Sequence, residues 1–253
     1  MSQRVLITAG AGGIGLAIAQ AYVAKGARVH IADINAEAVE QITSQNPSIT
    51  GSIGDISKPE DLDSLFRDVQ SQLGGLDVLV NNAGIAGATA PVSEYPVDTW
   101  HAVLGINLTG TFLVTQRAIE LLKQSDAASI IVMSSLAGRF GYANRVAYST
   151  TKWGLVGFTK TLSLELGPLG ITANSIHPGA VDGPRIQAVF EGRARVSGRS
   201  VEEEIASAMD NQSIKRFVDP ADIAALVLFL TGPRGRSISG QLFPIDGDSK
   251  AAS

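Results

Sequence analysis

The 253-residue chain is 45% hydrophobic and 17% charged, a balance that suits one packed globular core and excludes a disordered chain. Its formal charge is −4 and its basic residues are scattered, so nucleic acid is not expected as a partner. The absence of cysteine excludes disulfides, thiolate catalysis and cysteine-held zinc; the three histidines (His30, His101, His177) have no close carboxylate spacing that would build a transition-metal site.

The first apolar run begins directly after the initiating methionine and leaves no room for a targeting peptide, so the expected location is the cytoplasm. That run reads as a strand over 4–8, followed by a helix over 13–25. A second strand, 28–32, ends at Asp33, and a helix starts at Ala36. A short strand near 50–53 precedes a helix over 59–73. Residues 76–80 and 130–133 are continuous apolar runs, the pattern of strands covered on both faces; between them a long helical region covers 97–123. A helix over 147–166, stopped by Gly167 and Pro168, leads to a strand over 172–176. A helix over 220–230 and a strand over 242–245 close the chain. The longest apolar run, 224–230, is too short to span a bilayer, and no membrane partner is expected. Strand alternating with helix along the whole length predicts an α/β fold, a single-domain Rossmann-type doubly wound parallel sheet of about seven strands with helices on both faces. Residues 184–216 are charged, contain glycine and are poorly periodic. They read either as a lid over the substrate or as an ordinary surface helical hairpin.

The first strand-to-helix turn is Thr8-Ala9-Gly10-Ala11-Gly12-Gly13-Ile14-Gly15. Gly10, Gly13 and Gly15 would let the backbone approach a pyrophosphate, whose charge meets free N–H donors and the positive dipole at the helix start, beside Ile14. A glycine cluster alone is weak evidence. Here a strand precedes it, a helix follows it, and Asp33 ends the next strand roughly twenty residues on, where a carboxylate accepts hydrogen bonds from ribose hydroxyls. The competing role for Asp33 is an N-cap of the helix from Ala36. A carboxylate at this point repels a 2′-phosphate, and neither Ile34 nor Asn35 supplies a compensating positive charge, so NAD is expected in preference to NADP.

Tyr148 and Lys152, in Tyr148-Ser149-Thr150-Thr151-Lys152, stand four apart near a helix start and therefore on one face. An ammonium beside a phenol favours the phenolate and moves its pKa into a range useful for proton transfer. Such a pair alone is more often a surface pair. Ser135, thirteen residues earlier, ends a buried strand, where sheets of this type build ligand sites.

This combination resembles the short-chain dehydrogenase/reductase family, in its classical form, over essentially the whole chain. Asn81-Asn82-Ala83-Gly84 resembles the family motif after the fourth strand. Asn107, in Gly105-Ile106-Asn107-Leu108-Thr109-Gly110, resembles its helix asparagine, and Asn174-Ser175-Ile176-His177-Pro178-Gly179 the stretch carrying the nicotinamide-facing Pro-Gly. Asp55, before Ile56, matches the acid that contacts adenine. The resemblance implies an NAD-dependent oxidoreductase that moves a hydride between nicotinamide and a secondary alcohol or ketone. Tyr148 would be the general acid/base, Ser135 would hold and polarise the substrate oxygen, Lys152 would bind the nicotinamide ribose and lower the tyrosine pKa, and Asn107 would organise a water of the proton relay. Asp33, Ile34, Asp55, Ile56, Asn82, Ala83, Gly84, Pro178, Gly179 and Val181 would contact the cofactor along with the glycine loop. A homotetramer or homodimer is also implied, assembled through the helices over 97–123 and 147–166, with a further interface near 220–245.

Three positions depart from that pattern. Ala9 replaces the first glycine of the phosphate loop; Gly183 before Pro184 stands where a threonine commonly meets the carboxamide, leaving Val181 backbone groups to hold it; and the usual Asp-Gly-Gly ending is Asp246-Gly247-Asp248, expected to affect subunit contacts. The pocket is expected between Ile85, Ala86, the segment from Leu136 to Tyr142, residues after Gly179 and the 184–216 segment. Arg139, Arg145, His177 and Arg185 either recognise a carboxylate or sulfonate or pair with surface acids. Phe140, Tyr142 and Phe190 suit an aromatic or apolar ketone equally. An enoyl reductase is disfavoured by the short tyrosine-to-lysine spacing. A redox sensor or scaffold that binds NAD without turnover is the alternative from a different class.

Overall fold

A computed structural model describes residues 2–252. The elements follow in the order β1 (Arg4–Thr8), α1 (Gly13–Val23), β2 (Arg28–Asp33), α2 (Ala36–Gln45), β3 (Ile49–Ile53), α3 (Pro59–Leu73) and β4 (Val78–Asn81). Then come α4 (Val97–Leu104), α5 (Thr111–Leu122), β5 (Ser129–Met133), α6 (Val146–Leu166), β6 (Thr172–Pro178), α7 (Pro184–Ser197), α8 (Val201–Asp210), α9 (Pro220–Thr231) and β7 (Leu242–Ile245). All seven strands pair in parallel in the order β3-β2-β1-β4-β5-β6-β7.

The uninterrupted apolar runs are explained by this arrangement. In β1, Val5 and Ile7 face a core closed by Ile18, Ala19 and Tyr22 of α1 and Ile223 and Val227 of α9. Leu6 faces the opposite core, closed by α3, α5 and α6 through Leu65, Val114 and Leu155. From Val5 onward in β1, and throughout β4, β5 and β6, residues are buried whichever way they point, so alternation disappears. Full burial of one such aliphatic side chain contributes about 1.5–3 kcal/mol.

Chain connections leave β1 toward β2 and β3, and those after β4 run the other way, so the sheet has its switch point between β1 and β4. Helices diverge there and leave a crevice at the carboxyl ends of the strands.

Several element boundaries differ from expectation. The strand expected at 76–80 is β4, and it includes Asn81, which pairs with Val132 and donates from Nδ2 to Thr115 Oγ1 at 2.8 Å. The strand expected at 172–176 continues to Pro178, because His177 satisfies its ring inside the sheet against Ser175 Oγ (2.8 Å) and the Ser135 carbonyl (3.1 Å). The helical region over 97–123 is not one α-helix. A π-helical stretch, Gly105–Gly110, separates α4 from α5, and Asn107 lies within it. Apolar spacing in a single sequence does not distinguish a wide turn from a regular one. Within residues 184–216, the stretch 184–210 forms the hairpin α7–α8, and 211–216 follow as turns and a bridge.

Candidate active site

Along the crevice runs a cleft of about 370 Å³, bounded by the β1–α1 loop, the ends of β4, β5 and β6, the first turns of α6, and α7. The glycine loop forms its floor. Gly12 caps α1 in an extended conformation without a side chain, so the helix N-terminus opens directly at Gly13, whose φ is +49°. A Cβ added at Gly12 or Gly13 would meet nothing, because both face the opening. A Cβ at Gly10 would meet Ile31 Cγ2 at 2.6 Å, and one at Gly15 the Ala9 carbonyl at 2.1 Å. The loop is thus packed tightly from behind and open in front, as an approaching pyrophosphate requires.

Ala9 takes φ +50° at the start of the loop, a left-handed conformation that favours glycine. The left-handed conformation that this turn demands is therefore present, with the methyl tolerated at a cost of about 1–2 kcal/mol.

Asp33 ends β2 beside this loop. Its carboxylate accepts from the Ala11 N–H at 3.1 Å and from the Asn35 N–H at 3.1 Å. It is not the helix cap: Asn35 caps α2 by accepting from the Ala38 N–H. Ile34, next in the chain, is 72% exposed. Asp55 accepts from the N–H and hydroxyl of Ser57, and its own N–H is held by Asp61 at 2.8 Å. The Ile56 side chain packs in the core against Gly110 and is no part of the cleft, so only its backbone is left to meet a ligand.

The β4 end is fastened to β1. Asn82 donates from Nδ2 to the carbonyls of Thr8 and Ala9 (both 3.1 Å), and the N–H groups of Asn82 and Ala83 share Thr8 Oγ1. Gly84 passes close to Asn107 and Lys152, with a hypothetical Cβ 3.1 Å from Asn107 Oδ1. Asn107 is fully buried behind the cleft. Its Oδ1 accepts from the Ile85 N–H (2.7 Å), and its Nδ2 donates to the Ile85 carbonyl (3.0 Å) and Thr151 Oγ1 (3.2 Å). Its amide clamps the loop after β4 to α6.

Tyr148 and Lys152 occupy the first turns of α6 and line the cleft with Ser135, which follows β5. Lys152 is 3% exposed; its Nζ donates to the Met133 carbonyl at 2.8 Å and lies 5.6 Å from the Tyr148 ring centre. Burial pushes the Tyr148 phenol up, but the charges of Lys152, Arg185 and Arg145 and hydrogen bonding with Ser135 outweigh it and hold the phenol at about 8. Burial lowers the Lys152 ammonium to about 8 despite the attraction of Tyr148. Two groups with opposed charges thus change protonation in the neutral-to-basic range, inside a cleft.

Pro178 ends β6 opposite Ile245, and Gly179 passes so near Asp246 that a Cβ would lie 2.9 Å from its Cα. Val181 bridges to Val218, but the bonds are made by its neighbours: Val218 N–H to the Ala180 carbonyl and Asp182 N–H to the Val218 carbonyl. The amide groups of Val181 point away from that pairing, along the cleft wall. Gly12, Gly13 and Val181 together fit a bound dinucleotide.

The cationic residues separate into two groups. Arg139 pairs with Asp246 at 2.5 Å, so the Asp-Gly-Asp ending holds the loop after Ser135 within one protomer, in addition to any subunit contact. His177 is a residue of β6, fully buried and held neutral by burial, with its pKa pushed down to about 4. Neither lines the cleft. Arg145 and Arg185 do, together with Arg193 of α7, which sequence reading had not singled out. The approach of Asn211, Ser249 and Ala251 to the same cleft was also missed. None of these four shows a local signal, since the α7–α8 hairpin and the chain end bring them there.

Comparison with known proteins agrees with this geometry. The family model for short chain dehydrogenases matches residues 3–194. D-beta-hydroxybutyrate dehydrogenase of Cupriavidus necator is 37% identical over 247 residues, covering 96% of this chain and 95% of that protein. Among solved structures, NAD+-bound xylitol dehydrogenase superposes with a TM-score of 0.93 at 29% identity, covering 97% of this chain and 98% of that one. A variant of actinorhodin polyketide ketoreductase with NADPH gives 0.92 at 31% identity, covering 97% and 96%. With the crevice, the glycine loop and the Tyr–Lys pair on one frame, the chain belongs to the short-chain dehydrogenase/reductase family of oxidoreductases.

Proposed function

We propose that the protein transfers a hydride between NAD and a secondary alcohol or its ketone, with Tyr148 as general acid/base. The observation that carries this is the convergence of Ser135, Tyr148 and Lys152 at one end of the cleft, with the phenol held at about 8 by the cations around it. When bound, nicotinamide supplies the hydride acceptor or donor. The protein's residues manage the proton. Tyr148 takes it from the alcohol as phenolate or returns it to the ketone oxygen as phenol. Ser135 hydrogen-bonds that oxygen and fixes the distance to the phenol. Lys152, anchored on the Met133 carbonyl, keeps positive charge beside the phenol and would hold the nicotinamide ribose. Asn107 acts as a positioning residue, tying the loop at Ile85 to Thr151 one residue before Lys152.

The preference for NAD rests on Asp33, since the two solved relatives carry NAD+ and NADPH respectively. Its carboxylate, fixed by the Ala11 and Asn35 amides, puts negative charge where a 2′-phosphate would sit, and exposed Ile34 beside it offers no counter-charge. Asp55, the Ile56 backbone, Asn82, Ala83, Gly84, Pro178, Gly179 and Val181 complete the proposed cofactor contacts. The α7–α8 hairpin is proposed as the substrate lid, the assembly as a homotetramer or homodimer, and the location as the cytoplasm.

The test follows nicotinamide absorbance with NAD or NADP and a panel of secondary alcohols. The expected result is NADH formation that Tyr148→Phe abolishes while NADH binding persists. A preference for NADP would refute the reading of Asp33. A protein that binds NADH tightly, turns over nothing and ignores Tyr148→Phe would instead be a redox sensor.

A further inference from the structure

We infer that the cleft is built for an anionic substrate, a short-chain hydroxy acid or its oxo acid, whose carboxylate is held between Arg145 at the start of α6 and Arg193 on α7; the inference deepens the reaction proposed above. Arg145 is 3% exposed and lines the cleft. Its Nη2 donates to the Ala86 carbonyl at 3.1 Å, its Nη1 makes only a long bond of 3.4 Å to Thr89 Oγ1, and its Nε, fully shielded, has no partner. Among the described residues no carboxylate pairs with Arg145, Arg185 or Arg193. Arg139, partly exposed, is matched by Asp246, and Lys152 is held by a carbonyl; Arg145 shares with Lys152 only the Tyr148 phenol, which is neutral in most molecules at pH 7. A guanidinium withdrawn from water without a counter-ion is costly, and it persists where something else supplies the negative charge.

Arg193 approaches from the opposite wall. It donates to the Tyr142 hydroxyl, and its guanidinium lies 5.0 Å over the Tyr142 ring and 5.2 Å over that of Phe190. Arg145 lies 5.5 Å over the same Tyr142 ring, so one aromatic ring holds both cations toward the cleft. Arg185 stands at the rim, and the acid of the lining, Asp182, is exposed to solvent rather than turned onto the arginines. Planar guanidinium groups of this kind match a carboxylate in geometry as well as charge.

The Arg145 guanidinium lies 5.2 Å from the centre of the Tyr148 ring, so one small molecule can place an acid group on the first and a hydroxyl on the second. Short-chain hydroxy acids meet that condition. A neutral polyol or a steroid would leave Arg145 uncompensated.

The experiment measures binding of butyrate and of butyramide, alike in shape and different in charge, to the NAD+-loaded protein by calorimetry. Butyrate is expected to bind at least about tenfold more tightly, the size of one charge-assisted contact. Arg145→Met and Arg193→Met should each erase that preference. Arg145→Met removes a buried uncompensated charge and is expected to keep or raise the melting temperature, and Arg193→Met lies on the lid, so one readable variant remains if the other fails to fold. Equal binding of the two probes, or a preference that survives both substitutions, would overturn the inference. Turnover of neutral alcohols with equal binding would sink the anionic substrate and leave the reaction standing. A carboxylate preference in a protein that reduces no NAD+ with any hydroxy acid would do the reverse.

Discussion

The ionisation of Tyr148 is the step on which the chemistry turns, and it can be measured without knowing the substrate. A free phenol ionises near 10, and here the surrounding cations hold it at about 8. Two pH units correspond to about 3 kcal/mol of preference for the phenolate. At pH 7 about one molecule in ten then carries the phenolate, against about one in a thousand for an unassisted tyrosine. Phenolate absorbs near 295 nm, and the chain has only four tyrosines, one of which, Tyr22, is buried against Thr231 with its phenol pushed up, out of the range of interest. The difference between wild-type and Tyr148→Phe titrations should show one tyrosinate appearing around pH 8. Lys152→Met removes the largest stabilising charge and should move that transition up by a unit or more, lowering phenolate at pH 7 by about tenfold. The rate of alcohol oxidation should rise with pH through the same transition, and ketone reduction should fall. A difference titration centred at 10, or one indifferent to Lys152→Met, would refute the argument that these cations tune the phenol.

Acid should weaken the fold through two histidines. Burial pushes His30 and His177 down to about 4 from 6.5, so the unfolded chain binds more protons than the folded one between these values, and stability falls as pH drops through that window. From pH 7 to pH 5 each histidine accounts for a loss of about 2 kcal/mol, visible in denaturant midpoints; equal midpoints at the two pH values would contradict it. Gly15→Ala places a methyl 2.1 Å from the Ala9 carbonyl, so the loop must move. A loss of about 1–3 kcal/mol is expected together with loss of NADH binding by fluorescence titration, and retained affinity would show that the loop does not grip the cofactor. Ala9→Gly relieves the left-handed backbone at φ +50° and, after the entropy lost by added glycine, should raise stability by about 1 kcal/mol, or a melting temperature about 2–4 °C higher. A lower melting temperature would mean that the methyl packs favourably.

Much of this molecule is written in local patterns. Runs such as Val5–Ile7 and Ile130–Met133 can be buried on both faces only in a parallel sheet covered by helices, so the layered fold follows from composition and period. Gly10, Gly13 and Gly15 with Asp33, and Tyr148 four residues before Lys152, were legible because turn geometry and helical spacing fix which groups share a face. What local pattern could not decide is where residues distant along the chain meet. At the π-helical turn the Asn107 amide accepts from the Ile85 backbone, a partner twenty-two residues away. Arg139 and Arg145 are six residues apart and alike in sequence, yet one is neutralised by Asp246 and the other is buried facing Tyr148 with no acid beside it. Which arginine is structural and which awaits a charge depends on partners more than fifty residues away, and only the folded chain brings those partners into place.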